Sequence, residues 1–336
     1  MATEKGALLV TLLALSMPWW WQPSRCDNAQ HVVHIGRAAI HGLTTTVGDK
    51  SVRKYLGIRY AQPPTGLRRF QPPVPAELPV EVDASRYGAR CPQLPLTNTA
   101  MSEDCLFLNV FAPHPPSGGR LPVFVWLHGG GFITGASDIY QGDVLAAEGR
   151  VVVVTLNYRL GALGFLSTGD NSSLGNYGLW DQRLALQWVQ RHIRHFGGDE
   201  RRVTLAGVSA GAASASIHSL TPLSRDLFRH VVQVSGSAAS PWARVSASAA
   251  LRAARVSVRL SRVRLMMMMR GLMSSDVGLT SPVLAFCQSC KGRLFHPFLS
   301  VKSCPCQCCS CRCLLCVRPV SVVAVAVFCV SVLSVL

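Results

Sequence analysis

The stretch that decides the fold runs from Val203 to Ser214 and reads VTLAGVSAGAAS. Its first residues are typical of a buried strand, and the small residues that follow Gly211 are compatible with a helix. A G-x-S-x-G pattern at such a junction places Ser209 in a tight turn, where Gly207 and Gly211 let the strand and the helix approach closely. Ser209 is therefore a candidate nucleophile, because the N-terminus of the helix favours negative charge that develops beside it.

A glycine-rich segment upstream supplies the second signal. It reads HGGGF, from His128 to Phe132, and it follows the apolar stretch VFVWL. Such a segment leaves backbone N–H groups free to bind a substrate oxygen, so Gly130 and Gly131, together with Ala210, are predicted to form an oxyanion hole. The alternative for this segment on its own is a flexible loop after a strand.

The residues around these motifs predict an α/β fold. LPVFVWL and RVVVVTLNYR are short Val-rich runs typical of strands buried on both faces, and FRHVVQVSGS predicts a further strand. The segment YGLWDQRLALQWVQRHIRHF has its apolar residues at helical spacing, and Gly197-Gly198 ends it. HVVHIGRAAIHGLTT predicts an N-terminal hairpin. We therefore expect a mostly parallel central sheet flanked by helices.

The chain resembles the type-B carboxylesterases over roughly residues 33 to 243. The matching stretches include YLGIRYAQPPTGLRRFQPP, SEDCLFLNVFAP, LPVFVWLHGGGF, GNYGLWDQRLALQWVQRHIRHFGGD and VTLAGVSAGAAS. The resemblance implies an α/β-hydrolase fold and hydrolysis of small-molecule carboxylic esters through an acyl-enzyme. It assigns Ser209 as nucleophile, Gly130, Gly131 and Ala210 as the oxyanion hole, and Cys91–Cys105 as a disulfide. It implies neither a cofactor nor a metal.

Two departures from the family pattern concern the substrate. Val208 stands where family elbows mostly have Glu, which removes a carboxylate that cholinesterases place near their cationic substrate. The short loop between Cys91 and Cys105 contains no tryptophan on which choline could stack. Both departures favour a general carboxylesterase over a cholinesterase.

The third departure concerns the acid and the histidine of the catalytic triad, which the family carries in the second half of a longer chain. Downstream of Ser209 the acidic residues and histidines are His218, Asp226, His230, Asp276 and His296. His218 and His230 lie within the matching region, at positions that have other roles in the family. Asp276 and His296 follow the serine in the expected order, but their surroundings do not resemble the family's loops. We therefore expect a C-terminally truncated fold with residual activity at most. The alternative is a non-catalytic, neuroligin-like adhesion or binding ectodomain, or an inactive fragment.

Three regions are predicted. Residues 1–25 are a signal peptide, since Lys5 precedes the apolar run GALLVTLLALSM, although a buried N-terminal helix is the alternative. Residues 31–243 are the N-terminal part of the carboxylesterase domain. Residues 244–336 form an aberrant tail. A signal peptide implies a secreted or secretory-pathway protein, in which Asn171, within Asn-Ser-Ser, is a predicted glycosylation site.

The tail accounts for most of the unusual composition. Residues 244–336 contain 12 Lys or Arg and one acidic residue, so they carry +11 of the total net charge of +16. The basicity therefore does not indicate a nucleic-acid site.

Ten of the 13 cysteines lie between residues 287 and 329, where zinc binding is the alternative to a frame-shifted sequence. The last 18 residues are apolar enough for membrane association. The sequence does not determine the oligomeric state.

Overall fold

The computed structural model describes residues 31–93, 100–114 and 119–256 of the chain. Within them, nine strands form a single sheet. The strands are β1 His31–Ile35, β2 Ala38–Val47, β3 Lys50–Arg59, β4 Glu81–Asp83, β5 Phe107–His114, β6 Leu121–Leu127, β7 Val152–Leu156, β8 Gly198–Val208 and β9 His230–Val234. The helices are α1 Asp143–Gly149, α2 Gly161–Phe165, α3 Tyr177–His192, α4 Ala210–Leu220 and α5, residues 247–256. Short 3₁₀ turns occupy Gly66–Arg68, Ser137–Ile139, Ile193–Phe196 and Arg225–Leu227.

The sheet is mixed, with one antiparallel and one parallel half. The strand order is β1-β2-β3-β5-β7-β6-β8-β9, with β4 paired to β2. Neighbours from β1 to β7 are antiparallel, whereas β7, β6, β8 and β9 run parallel. The predicted α/β class is confirmed, and the parallel half contains both sequence motifs. In the antiparallel half, tight turns at Gly36 (φ +59°) and Gly48 (φ +61°) join β1 to β2 and β2 to β3. Strands that are joined by such short turns pair as antiparallel hairpins.

The core lies between the parallel strands and the helices that connect them. Every residue of β7 is buried, as predicted for a strand covered on both faces, whereas in β6 buried and half-buried residues alternate. Helix α3 packs Trp188 against Phe196 with ring centroids 5.8 Å apart. The positive φ of +82° at Gly197 then redirects the chain into β8. The predicted helix and its glycine stop are confirmed.

A helix follows residue 243, where the sequence suggested no capped helix. The backbone N–H of Ala249 donates to Ser246 Oγ at 3.2 Å, so Ser246 caps α5. Ala254 of this helix is buried. The domain boundary at residue 243 stays a prediction. The predicted signal peptide, the Cys-rich segment, the apolar end, Asp276 and His296 all lie outside the described residues.

Candidate active site

Ser209 occupies the junction between β8 and α4 in a strained conformation. Its φ of +53° and ψ of −116° belong to a region that non-glycine residues rarely adopt, at a cost of about 1–3 kcal/mol. Two backbone hydrogen bonds maintain this conformation. The Ser209 N–H donates to the Val234 carbonyl, and the Ser209 carbonyl accepts from the Ala213 N–H, both at 2.9 Å. The turn is therefore held by β9 on one side and by the first turn of α4 on the other.

The two glycines of the motif are required by backbone packing. A Cβ atom at Gly207 would overlap the backbone of Gly211, and a Cβ atom at Gly211 would overlap the carbonyl of Leu127 at the end of β6. The strand, the helix and the neighbouring strand therefore meet with no room for side chains at these positions. Because these backbones approach so closely, only glycine fits two residues before Ser209 and two residues after it.

The glycine loop, residues 128–135, lies directly against this junction. A Cβ atom at Gly129 would stand 3.3 Å from Ser209 Cβ and 2.9 Å from the Val208 carbonyl oxygen. Gly130 and Gly131 follow with positive φ angles of +107° and +62°. The Gly130 carbonyl accepts from the N–H groups of Ile133 and Thr134 at 3.1 and 3.0 Å, which closes the loop into a tight turn.

Three backbone donors at this place have no acceptor among the residues that the structure describes. In the described part of the chain, the N–H groups of Gly130 and Gly131 make no hydrogen bond, and both residues are exposed. The N–H of Ala210 has no intrahelical acceptor because Ala210 is the first residue of α4. The sequence predicted that these three residues and Ser209 form one site, and their catalytic roles stay a prediction.

His128 is buried behind the loop and is neutral at ordinary pH. Burial lowers its pKa to about 4. Its ring stacks on Tyr158 with centroids 4.3 Å apart, and Nδ1 lies 2.8 Å from the Gly129 carbonyl oxygen. Since a carbonyl can only accept, Nδ1 carries the proton. Tyr158 also donates from its hydroxyl to the His128 carbonyl at 2.8 Å, which orients the first peptide of the loop.

A buried ion pair anchors the segment that follows Tyr158. Asp181 of α3 accepts from the Arg159 backbone N–H at 3.0 Å, from Nε at 2.8 Å and from Nη2 at 2.6 Å. Side-chain exposure is 3% for Arg159 and 0% for Asp181, so solvent does not compete for these bonds. The position of Tyr158, and through it that of His128, therefore depends on this pair.

His218, near the C-terminal end of α4, has partners on both ring nitrogens. Nε2 lies 3.0 Å from Gln182 Oε1 and therefore donates to it, while Nδ1 accepts from the Ser224 hydroxyl at 3.0 Å. Gln182 extends the network by donating to Ser214 Oγ at 3.2 Å. Burial lowers the pKa of His218 to about 4. This histidine is held as a neutral structural group.

The remaining predicted residues have separate places. Cys91 and Cys105 form a disulfide with both residues buried, as predicted. Asn171 is exposed in the turn before α3 and is distant from Ser209 in the sequence. Among the described residues, no histidine is hydrogen-bonded to the Ser209 hydroxyl. No sequence pattern indicated the hydrogen bonds of Tyr158 or of Gln93, because their partners are distant in the chain.

The surroundings of the elbow offer no candidate metal site in the described residues. In residues 31–256, apart from the two gaps, no group of three or more His, Cys, Asp or Glu could hold a metal ion. No helix of the same residues is long and apolar enough to cross a bilayer. A cavity of about 250 Å³ lies elsewhere, lined by residues of β1, β2 and α3, with Trp188 in its wall. None of its lining residues belongs to the elbow or to the glycine loop.

Comparison with known proteins gives concordant matches. A model of the carboxylesterase family matches residues 29–275. The cocaine esterase of Oryctolagus cuniculus is 47% identical over 205 residues, which cover 56% of this chain and 38% of that protein. The acetylcholinesterase of Bungarus fasciatus is 42% identical over 256 residues, 68% of this chain and 42% of that protein. The pyrethroid hydrolase Ces2a of Mus musculus is 42% identical over 232 residues, 64% of this chain and 42% of that protein. The chain thus spans less than half the length of these curated relatives.

Proposed function

The chain belongs to the carboxylesterase family, and on that premise we propose that it carries the parts of a serine ester hydrolase that form the acyl-enzyme, which are the nucleophile and the oxyanion hole. In this proposal, Ser209 is the nucleophile, and the N–H groups of Gly130, Gly131 and Ala210 form the oxyanion hole. The observation that supports it most is the presence, within the described residues, of three unpaired backbone donors beside a serine held in a strained turn.

The chemistry follows from the charge that develops during acyl transfer. Ser209 Oγ forms a bond to the acyl carbon of an ester, and the carbonyl oxygen becomes an oxyanion. The three N–H groups stabilise it, and each such donor typically contributes about 3–4 kcal/mol. Collapse of the tetrahedral intermediate breaks the ester C–O bond, releases the alcohol and leaves an acyl-Ser209. Water then releases the carboxylic acid.

The proton of the Ser209 hydroxyl requires an acceptor. His218 is unsuited to this role because both of its nitrogens are engaged, and the lowered pKa of His128 makes it a weak base. No histidine of the described residues is hydrogen-bonded to the Ser209 hydroxyl. This observation favours a second candidate function for the chain as given, a non-catalytic binding fold that retains the elbow.

The proposed substrates are uncharged carboxylic esters. Val208 supplies an apolar side chain next to the nucleophile where a carboxylate would attract a quaternary ammonium. Its Cγ1 atom would lie 3.3 Å from a Cβ atom at Gly129, so that an apolar surface borders the elbow. We expect turnover of an aryl acetate to exceed turnover of acetylthiocholine, and a preference for the choline ester would contradict this assignment.

The proposed location is the secretory pathway. The buried Cys91–Cys105 disulfide is a bond that persists in oxidising compartments. Asn171 is exposed in a turn, as an acceptor for an N-linked glycan must be. Expression in a eukaryotic secretory host should give a protein whose mass falls on treatment with an amidase that removes N-glycans, and Asn171→Gln should abolish that loss.

A fluorophosphonate probe tests the central proposal. Attack by Ser209 forms an O–P bond, breaks the P–F bond and releases hydrogen fluoride, so that one probe is attached per serine. We expect labelling of the folded wild type that is lost in Ser209→Ala and after thermal unfolding. Absence of labelling in correctly folded protein would instead support the non-catalytic function.

A further inference from the structure

Gln93 makes two hydrogen bonds to the backbone of the glycine loop. Its Nε2 donates to the Gly135 carbonyl, and its Oε1 accepts from the Gly135 N–H, both at 2.8 Å. Nε2 also donates to the Cys91 carbonyl at 3.1 Å. The residue is 8% exposed, so these bonds exclude water. The side-chain amide and the peptide group of residue 135 therefore form a closed pair that fixes the end of the loop.

Gly135 transmits this restraint to the start of the same loop. Its φ is +119°, and a Cβ atom there would overlap the ring of His128 and reach 2.5 Å from the Gly129 carbonyl oxygen. Only glycine fits at position 135, because its backbone lies directly against residues 128 and 129. A shift of Gly135 would displace the peptides that precede Gly130.

Gln93 is itself held by the sheet. It lies two residues after Cys91, which is bonded to Cys105, and Cys105 lies two residues before β5 begins. Strand β5 pairs with β3 and β7 in the middle of the sheet. A covalent path therefore connects the centre of the sheet to Gln93, and two hydrogen bonds connect Gln93 to the glycine loop.

We propose that Gln93 is a positioning residue, which sets the place of the glycine loop relative to Ser209 and thereby the rate of acylation. This inference rests on the proposed function of the loop as an oxyanion hole. The physical reason is that oxyanion donors act through accurate placement, and a displacement of about 1 Å can cost about a hundredfold in rate. Gln93 touches no reacting atom and acts only through Gly135.

Two methionine variants provide a matched test by fluorophosphonate kinetics. Gln93→Met keeps the length of the side chain and removes both hydrogen bonds to Gly135. Gln190→Met is the control, since Gln190 donates from Nε2 to the carbonyls of Glu200 and Leu227 at 2.9 Å each, at the far end of α3. We expect Gln93→Met to lower the maximal inactivation rate between about tenfold and a hundredfold with probe affinity unchanged. Gln190→Met should retain the wild-type rate.

A third variant, Gln93→Glu, distinguishes positioning from a loss of packing. When ionised, the introduced carboxylate would present two acceptors and could not donate to the Gly135 carbonyl, whereas the protonated acid has both a donor and an acceptor. The inactivation rate of Gln93→Glu, divided by that of the wild type at each pH, should therefore rise toward one as the pH falls. The corresponding ratio for Gln93→Met should stay low at every pH.

Hydrogen exchange separates failure of this inference from failure of the proposed function. Gln93→Met should accelerate exchange of the Ile133 and Thr134 amides, which are hydrogen-bonded within the loop, whereas Gln190→Met should leave them protected. If the folded wild type is not labelled, the proposed function fails, and exchange still decides whether Gln93 fixes the loop. Wild-type exchange in Gln93→Met, or an unchanged inactivation rate in a labelled protein, would overturn the inference.

Discussion

The polar groups at the two ends of α4 differ in whether they have hydrogen-bond partners. At the N-terminal end, Ser209 is strained, and the N–H groups of Gly130 and Gly131 in the adjacent glycine loop have no acceptor among the described residues. At the C-terminal end, His218 has a partner on each nitrogen and Gln182 links it onward to Ser214. Groups that a fold leaves unpaired at an accessible place are available to a ligand, whereas groups that it saturates in the interior stabilise the fold.

The contrast shows why His218 cannot serve as the base, although it lies on the helix that begins beside the nucleophile. The structure makes His218 part of the saturated region, to which Asp181, with three hydrogen bonds from Arg159, also belongs. The elbow and glycine loop form the unsaturated region. Substitutions in the first region should change stability, and substitutions in the second should change reactivity.

The largest loss of stability expected from a single substitution comes from breaking the Arg159–Asp181 pair. Asp181→Ala leaves the Arg159 guanidinium buried without its counter-charge, which should lower the free energy of unfolding by about 3–5 kcal/mol. Urea denaturation of the purified protein measures this change. The control is Asp199→Ala, which removes the partner of Arg202, whose side chain is 52% exposed, and should cost less than about 1 kcal/mol. Equal losses in the two variants would contradict the assignment of Asp181 to the saturated region.

The parts of this arrangement that the sequence predicted are those encoded locally. The G-x-S-x-G and HGGGF motifs each lie within a few residues, and the Val-rich runs and the helical periodicity of α3 are also local patterns. The contact between Gln93 and Gly135 spans 42 residues, and nothing in either segment indicates it. The partners of His218 come from α3 and from the turn after α4, so that its structural role depends on tertiary packing.

Acidification should also lower the stability, through two buried histidines that each contribute less than the Arg159–Asp181 pair. Burial lowers the pKa of both His128 and His218 to about 4, below the value of 6.5 that they have when exposed on unfolding. The unfolded chain therefore binds protons first, so the stability is complete above pH 6.5 and is lost as the pH falls toward 4. Each histidine should contribute roughly 3 kcal/mol of this loss.

Unfolding free energies measured across that interval test the assignment. His218→Gln should show a weaker dependence on pH than the wild type, because one of the two buried titrating groups is gone. His230→Gln, at an exposed position of β9, should follow the wild-type profile. An unchanged profile in His218→Gln would mean that His218 is not held neutral in the folded protein.

The smallest expected effect on stability tests the unsaturated region. Gly131 has a φ of +62°, and a Cβ atom there would meet only Ile133, at 3.7 Å, while Gly48, in the β2–β3 turn, has a φ of +61° and nothing within 4 Å. Alanine at either position should cost about 1–2 kcal/mol of stability, since both variants force an L-residue into the left-handed region. The two substitutions are thus matched in conformational cost but differ in place. If the glycine loop binds the oxyanion, Gly131→Ala should slow fluorophosphonate labelling while Gly48→Ala does not. Equal labelling rates in the two variants would show that Gly131 has a positive φ only to turn the chain.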